Sequence, residues 1–355
     1  MDSSNEKKFS VTLTVKNEWE ALQYVIPYYI NCGADTVYIF LDGTTDKTEE
    51  NLKNFNNVIC QKCVSKNDLI NIPDWVNDLL PESNMDHRKR INTLYAAERA
   101  HVDGVEWLLS IDPDEIVIAN NLTSKNAFDN ILNVDNEVEQ ILIPNIELLP
   151  SQKNAIDNSS NFYCGKNYFI NRRDKQLKVW KAINKILVML KISPEINSRI
   201  CNRFFYFLNY RLFPRILISP NNEKIYTAWY LGYSNYKSLI RTSSIFKANF
   251  NIHQWVSIPG NKLNTIKKGT LLHYDLPSFS YYQKKFKQRV GFKINKNFYT
   301  RYKLNKIIID ENEMTLRKFY TESICVKPAK LEKLNSLGIV REIDIDSENF
   351  IIKES

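Results

Sequence analysis

Short apolar runs that each break off in a polar cluster set the rhythm of this chain. Phe9 to Val15 alternates and is rich in β-branched residues, which predicts a strand, and it stops at the polar triplet Lys16, Asn17 and Glu18. From Trp19 to Cys32 the apolar residues Leu22, Val25, Ile26, Tyr29 and Ile30 recur at helical spacing on one face, and Gly33 supplies a stop. Thr36 to Leu41 predicts a second strand, which closes on Asp42-Gly43-Thr44-Thr45-Asp46 ahead of a helix over Lys47 to Phe55. Val58 to Val64 reads as a weaker strand, residues 68–85 as a loop, and His87 to His101 as a helix that opens on Arg88, Lys89 and Arg90.

The pattern culminates in Val105, Trp107, Leu108, Leu109 and Ile111, an apolar run that ends in the carboxylates Asp112, Asp114 and Glu115 before apolar residues resume at Ile116. Strands and helices that alternate in this way predict a mostly parallel sheet with ligands held outside the carboxyl ends of its strands. One crevice would then collect Lys16 to Glu18, Asp42 to Asp46, Arg88 to Arg90 and the acidic strand tip. Carboxylates two residues apart at a strand end can share one hard cation, a chemistry suited to a diphosphate because the cation offsets a leaving group's negative charge.

Further along, Glu139 to Ile146 predicts another strand with Glu147 at its end. Gln176 to Ile192 reads as an amphipathic helix, with Val179, Trp180, Ile183, Ile186, Leu187 and Leu190 on one face and Lys178, Lys181 and Lys185 opposite. Arg203 to Arg215 mixes aromatic rings with arginines, and Tyr281 to Tyr302 interleaves aromatic and basic residues. Two short charged helices and a strand-like REIDID are expected in the C-terminal part.

Composition narrows the function classes. With 355 residues, 43% of them hydrophobic, the chain can bury a sizeable core, and its net charge of +8 favours anionic partners. The first residues are polar and no apolar stretch reaches bilayer-spanning length, so the expected location is the cytosol, with peripheral attachment to the inner face of the membrane through residues 176–215. Six scattered cysteines with one C-x-x-C pair, Cys60 and Cys63, complete no zinc site and are read as reduced and structural.

The stretches TVKNEWEALQYVIPYYINCGADTVYIFLDGTTDKT and RKRINTLYAAERAHVDGVEWLLSIDPDE, followed by a Lys-Ser-x-x-Arg element and a His-Tyr element, resemble glycosyltransferases of the family 2 group, especially the subgroup related to family 92. The resemblance implies an α/β nucleotide-diphospho-sugar transferase fold of the GT-A type, here with a helical basic and aromatic insertion. It also implies Mn2+ or Mg2+ as cofactor, a nucleotide-diphospho-sugar donor with uridine the expected base, and a glycan or lipid-linked acceptor hydroxyl attacked with inversion. By the same resemblance Asn17, Glu18, Asp42 and Asp112 would bind the donor and Asp112 and Asp114 would hold the metal. Lys16 by its place at a strand end and Arg90, Lys237 and Arg241 by their charge join the expected donor-binding set, and His273, which follows the apolar pair Leu271 and Leu272 in the His-Tyr element, is a further expected metal ligand. Asp114, Glu147 and Asp275 are the carboxylates expected to act in catalysis, while His253 is read as structural.

The expected organisation is a nucleotide-sugar-binding core over 1–150, a helical insertion over 151–230 on the acceptor or membrane side, the rest of the catalytic domain over 231–305 and an extension over 306–355. Two rival readings are a nucleic-acid-binding protein that uses the basic aromatic stretch from Tyr281, and a catalytically silent sugar-binding protein of the same fold. The intact acidic tip disfavours the second, and nucleic acid is not the expected partner.

Overall fold

Seven consecutive buried residues, Phe9–Val15, form a strand enclosed on both faces, as the central strand of an α/β sheet should be. The structure, a computed structural model, describes residues 7–119, 125–152, 163–171, 174–193, 196–197, 199–201, 203, 216–226, 236–287 and 299–346. In chain order it runs β1 (Phe9–Val15), α1 (Trp19–Asn31), β2 (Ala34–Leu41), α2 (Thr48–Leu52), β3 (Val58–Lys62), α3 (Asp74–Asn77), α4 (Met85–Val102), β4 (Trp107–Ser110), β5 (Glu115–Ile118), α5 (Lys125–Leu132) and β6 (Gln140–Leu148). Next come β7 (Gly165–Ile170), β8 (Ile216–Ile218), β9 (Lys224–Tyr226), β10 (Tyr236–Arg241), β11 (Ala248–Phe250), β12 (Trp255–Ser257), β13 (Thr265–Lys267), β14 (Thr270–His273) and β15 (Val340–Ile345).

The chain divides into two compact units, the first made of Met1–Asn145, Asn235–His273 and Ile345–Ser355, the second of Ile146–Ser234 and Tyr274–Asp344. These boundaries differ from the four segments expected from the sequence.

In the first unit β3, β2, β1 and β4 lie side by side and parallel, in that order. The mostly parallel α/β sheet expected from the alternation of apolar runs is therefore present. Beyond β4 the direction reverses: β10 runs antiparallel to β4 on one side and to β6 on the other, and β13 adds to β6 in parallel. On one face α4 turns Ile91, Leu94, Ala96, Ala97 and Ala100 onto Tyr38, Phe40, Leu108 and Ile240. Its alanines let the helix approach the sheet closely, and each large side chain buried there contributes roughly 1.5–3 kcal/mol. α1 buries Leu22, Val25, Ile26, Tyr28 and Tyr29, and Phe128 of α5 stacks on Phe9 at 4.1 Å.

Two details of this unit hold the segments that reach the site. The Gln140 amide substitutes for a neighbouring strand: its Nε2 donates to Trp255 O at 3.1 Å and its Oε1 accepts from Trp255 N at 2.8 Å. The phenol oxygens of α1 brace β5, with Tyr28 donating to Val117 O at 2.6 Å and Tyr29 accepting from Val117 N at 3.2 Å.

The second unit pairs the end of β6 with β7 in antiparallel fashion, and β15 lies next to β7. A β8–β9 hairpin and the helices Phe279–Lys287, Tyr299–Asp310 and Glu313–Phe319 enclose a cluster that includes Leu276, Tyr282, Phe286, Leu304 and Tyr320. Tyr281, Tyr282 and Phe286 are 2%, 0% and 3% exposed, so these rings of the basic aromatic stretch are core residues and offer no stacking platform for bases. Residues 288–298, and all of the Arg203 to Arg215 stretch except Arg203 itself, lie outside the described residues, as do residues 153–162 at the start of the expected insertion.

Gly269 enters β14 at φ +78°, and a Cβ built there would lie 3.0 Å from Ile131 Cδ1 and 3.4 Å from Ile118 O. Gly269→Ala should cost about 1–3 kcal/mol, through left-handed backbone strain together with that contact. Urea denaturation of the variant against the parent protein measures this directly.

Candidate active site

Two strand pairings place the chemistry. β5 and β14 run antiparallel with His273 directly opposite Glu115, so the histidine arrives beside the acidic tip although more than a hundred residues separate them in sequence. Its Nε2 lies 3.6 Å from Asp114 Oδ2, and both side chains are buried. On the other side Ser238 of β10 pairs with Ser110 of β4, which leaves Lys237 just beyond the end of β4, next to Asp112.

Asp112 is gripped from two directions. Lys237 Nζ meets its Oδ2 at 2.5 Å, and Lys89 Nζ, from α4, meets its Oδ1. The lysine side chains are only 3% and 9% exposed, against 34% for Asp112, so two buried ammonium groups hold a carboxylate that reaches the surface. Burial alone would raise the Asp112 pKa, but Lys237 and Lys89 outweigh it and hold the carboxyl well below the usual range. Glu115 lies deeper. Its Oε2 accepts from Asp112 N at 2.8 Å and sits 3.2 Å from Lys237 Nζ. Burial pushes its carboxyl up to about 7, Lys237 opposing the rise and Asp112 adding to it.

Lys16, Asn17, Glu18 and Asp42 lie at the ends of β1 and β2. Asn17 adopts φ +54°, and its Oδ1 accepts from Thr45 N at 2.7 Å and Asp46 N at 3.1 Å, tying the two strand-end loops together. Asp42 receives a two-pronged contact from Arg88, Nε to Oδ1 at 2.6 Å and Nη2 to Oδ2 at 2.9 Å. Glu18 caps α1 through its backbone carbonyl, which accepts from Ala21 N and Leu22 N at 3.0 Å each. Lys16 is exposed at the end of β1.

Two of the expected donor-binding residues go elsewhere, for identifiable reasons. Successive helical residues diverge by about 100°. Of the basic triplet, Arg88 and Lys89 therefore reach Asp42 and Asp112, while Arg90 turns away to donate to Phe250 O and Asn249 Oδ1 at 2.7 Å each and to lie over Trp75. Because β10 is antiparallel to β4, Arg241 sits opposite Trp107 at the far end of that strand from Asp112, paired with Glu106 and stacked over the Trp107 ring. Glu147 and Asp275 belong to the second unit: Glu147 is buried opposite Ile170 of β7, and Asp275 pairs with Lys285 at 2.7 Å and Arg301 at 3.7 Å.

His253, expected to be structural, also belongs near the tip. Burial pushes its pKa down to about 3 from 6.5, and the nearby charges of Lys237 and Lys89 add to the shift. The turn that carries it is strained, since the β-branched Ile252 sits at φ +68°. Asn251 Oδ1 locks that turn by accepting from His253 N and Gln254 N at 3.3 and 3.0 Å. No spacing in the sequence marks this placement.

The fit of a divalent cation is best at Asp114 and His273. An imidazole nitrogen and a carboxylate oxygen 3.6 Å apart form a mixed N,O donor set, which suits Mn2+ better than Mg2+. Asp112 fits less well, since both its oxygens are engaged by lysines.

No protein-family profile matches the chain, and no curated protein matches it in sequence. Solved structures similar to it include glucosyl-3-phosphoglycerate synthase from Mycobacterium tuberculosis in complex with Mn2+, uridine diphosphate and glucosyl-3-phosphoglycerate. That likeness has 10% identity, covers 86% of this chain and 82% of that one, and has a TM-score of 0.33. HddC from Yersinia pseudotuberculosis is similar at 9% identity, over 78% and 97% of the two chains, with a TM-score of 0.31. Mannose-1-phosphate geranyltransferase from Thermus thermophilus is similar at 8% identity, over 90% and 69%, with a TM-score of 0.26. Likenesses this loose say nothing of the site, which rests on its own geometry.

Two measurements probe the cluster. Lys237→Met strands Asp112 and Glu115 beside one another and should lower stability in urea by about 3–5 kcal/mol, the cost of breaking a buried pair from one side. Folded His253 resists a proton that the unfolded chain accepts near pH 6.5, so its contribution is full above that pH and is lost as pH falls toward 3. Melting curves between pH 7 and 4 should show a shallower acid limb for His253→Gln than for the parent.

Proposed function

We propose that the first unit is the catalytic core of a metal-dependent glycosyltransferase. It moves a sugar from a nucleoside-diphosphate donor, most simply a uridine-linked one, to a hydroxyl of a glycan or lipid-linked acceptor, with inversion. The observation that carries this reading is the meeting of Asp114 and His273 beside a lysine-held Asp112, just outside the carboxyl end of β4 in a mostly parallel sheet. The ordered motifs that resemble family 2 glycosyltransferases support it, because they supply the residues of this cluster and of the Asn17 and Asp42 cluster.

In this reading Asp42, fixed by Arg88, and Asn17, fixed to the Thr45–Asp46 backbone, line the nucleoside end of the donor. Asp114 and His273 would hold Mn2+ or Mg2+. When bound, that ion offsets charge on the departing nucleoside diphosphate. Lys89 and Lys237 keep Asp112 ionised and oriented at the mouth, so no reorganisation of that carboxylate is needed when donor arrives. Buried Glu115 holds the Asp112 backbone N–H and fixes the turn between β4 and β5.

The test is release of nucleoside diphosphate from a panel of nucleotide sugars, with and without Mn2+, followed by chromatography. Turnover should appear with metal and vanish with chelator. Asp114→Asn and His273→Ala should each lower it by about 100-fold or more while the fold, read by circular dichroism, is kept. Unchanged turnover in both variants would remove the metal site, and no release from any nucleotide sugar by the folded protein would remove the transferase reading.

A further inference from the structure

The helix Asp174–Met189 of the second unit turns large apolar side chains into solvent. Val179, Ile186 and Leu190 are spaced seven and four residues apart, and so share one stripe of a 3.6-residue helix and the turn that follows it. They are 45%, 55% and 65% exposed, and Met189 is 73% exposed. Lys178, Lys181 and Lys185, spaced three and four apart, are exposed as a second stripe about 120° round the helix, Val188, 59% exposed, lies on the far side from the apolar stripe, and Ile183, Asn184 and Leu187 are half-buried. Scattered exposed apolar residues are ordinary on a protein surface, but an aligned row of them marks a place that something covers.

The charge pattern selects what covers it. The helix carries four lysines, and its only acidic residue is Asp174, at its start. A second copy docked through the same stripe in a symmetric pair would bring two lysine rows together, whereas a surface of lipid phosphates answers them. No helix among the described residues is long and apolar enough to cross a bilayer. We propose that this helix lies along an anionic bilayer surface, with Val179, Ile186 and Leu190 seated at the headgroup–acyl boundary and the lysine row on the lipid phosphates. The proposal stands independently of the catalytic reading.

The experiment is co-sedimentation of the full chain with vesicles of phosphatidylcholine alone or mixed with phosphatidylglycerol, at low and high salt. Binding is expected to the anionic vesicles, to weaken as salt rises and to be far weaker on phosphatidylcholine. The variant Lys178→Glu/Lys181→Glu/Lys185→Glu should lose roughly 100-fold or more in partitioning. The variant Val179→Ser/Ile186→Ser/Leu190→Ser should lose binding even at low salt, and since these side chains are exposed both variants should keep the parent's melting temperature. The proposal is overturned if the parent does not sediment with anionic vesicles, or if either variant binds as the parent does. It is overturned equally if light scattering shows a dimer that the serine variant dissociates, which would mean that a second copy covers the stripe.

Discussion

Two ammonium groups taken out of water beneath one carboxylate constrain everything around the candidate site. Lys89 and Lys237 are nearly inaccessible, and an ammonium group in such surroundings persists only where opposite charge lies close. Asp112 and Glu115 provide it, so α4, β10 and the turn after β4 must meet at one point for any of the four side chains to be satisfied. The cluster thus links strands of opposite direction to a helix on one face of the sheet. A sheet of four parallel strands alone would leave the acidic tip without partners.

The parts of the fold that follow from local periodicity were legible. β1 and the helix after it, β2, and the long helix ahead of β4 all lie where alternating or helical spacing of apolar residues puts them. The acidic tip was legible because three carboxylates at the end of an apolar run have few uses inside a core. Residue-level placement failed where it depended on non-local pairing. Lys237 and Arg241 look equivalent as neighbours in one element, yet an antiparallel strand delivers its two ends to opposite ends of β4.

The basic triplet shows the same limit within a helix. Arg88, Lys89 and Arg90 read as one patch, but helical rotation gives each a separate partner in Asp42, Asp112 and the β11 segment. His253 was illegible for a third reason. Its position depends on a strained turn at Ile252, and no spacing rule in a sequence marks a β-branched residue that will be held at positive φ. Asn251 fastens that turn, while Arg90 and Gln140 hold the strands on either side of it.

The register of β14 also bears on which changes of length this chain can absorb. Lys267 ends a strand paired with Leu142, and His273 ends one paired with Glu115, with only Lys268 and Gly269 between the two strands. Side chains alternate between faces along a strand, so one residue gained there would bring Leu272, and one lost would bring Tyr274, opposite Glu115, and either would point the imidazole away from Asp114. Homologous chains should therefore vary freely in length before β13 and not between β13 and the histidine. The segment works as a ruler whose count is set at one end by the central sheet and at the other by the acidic turn.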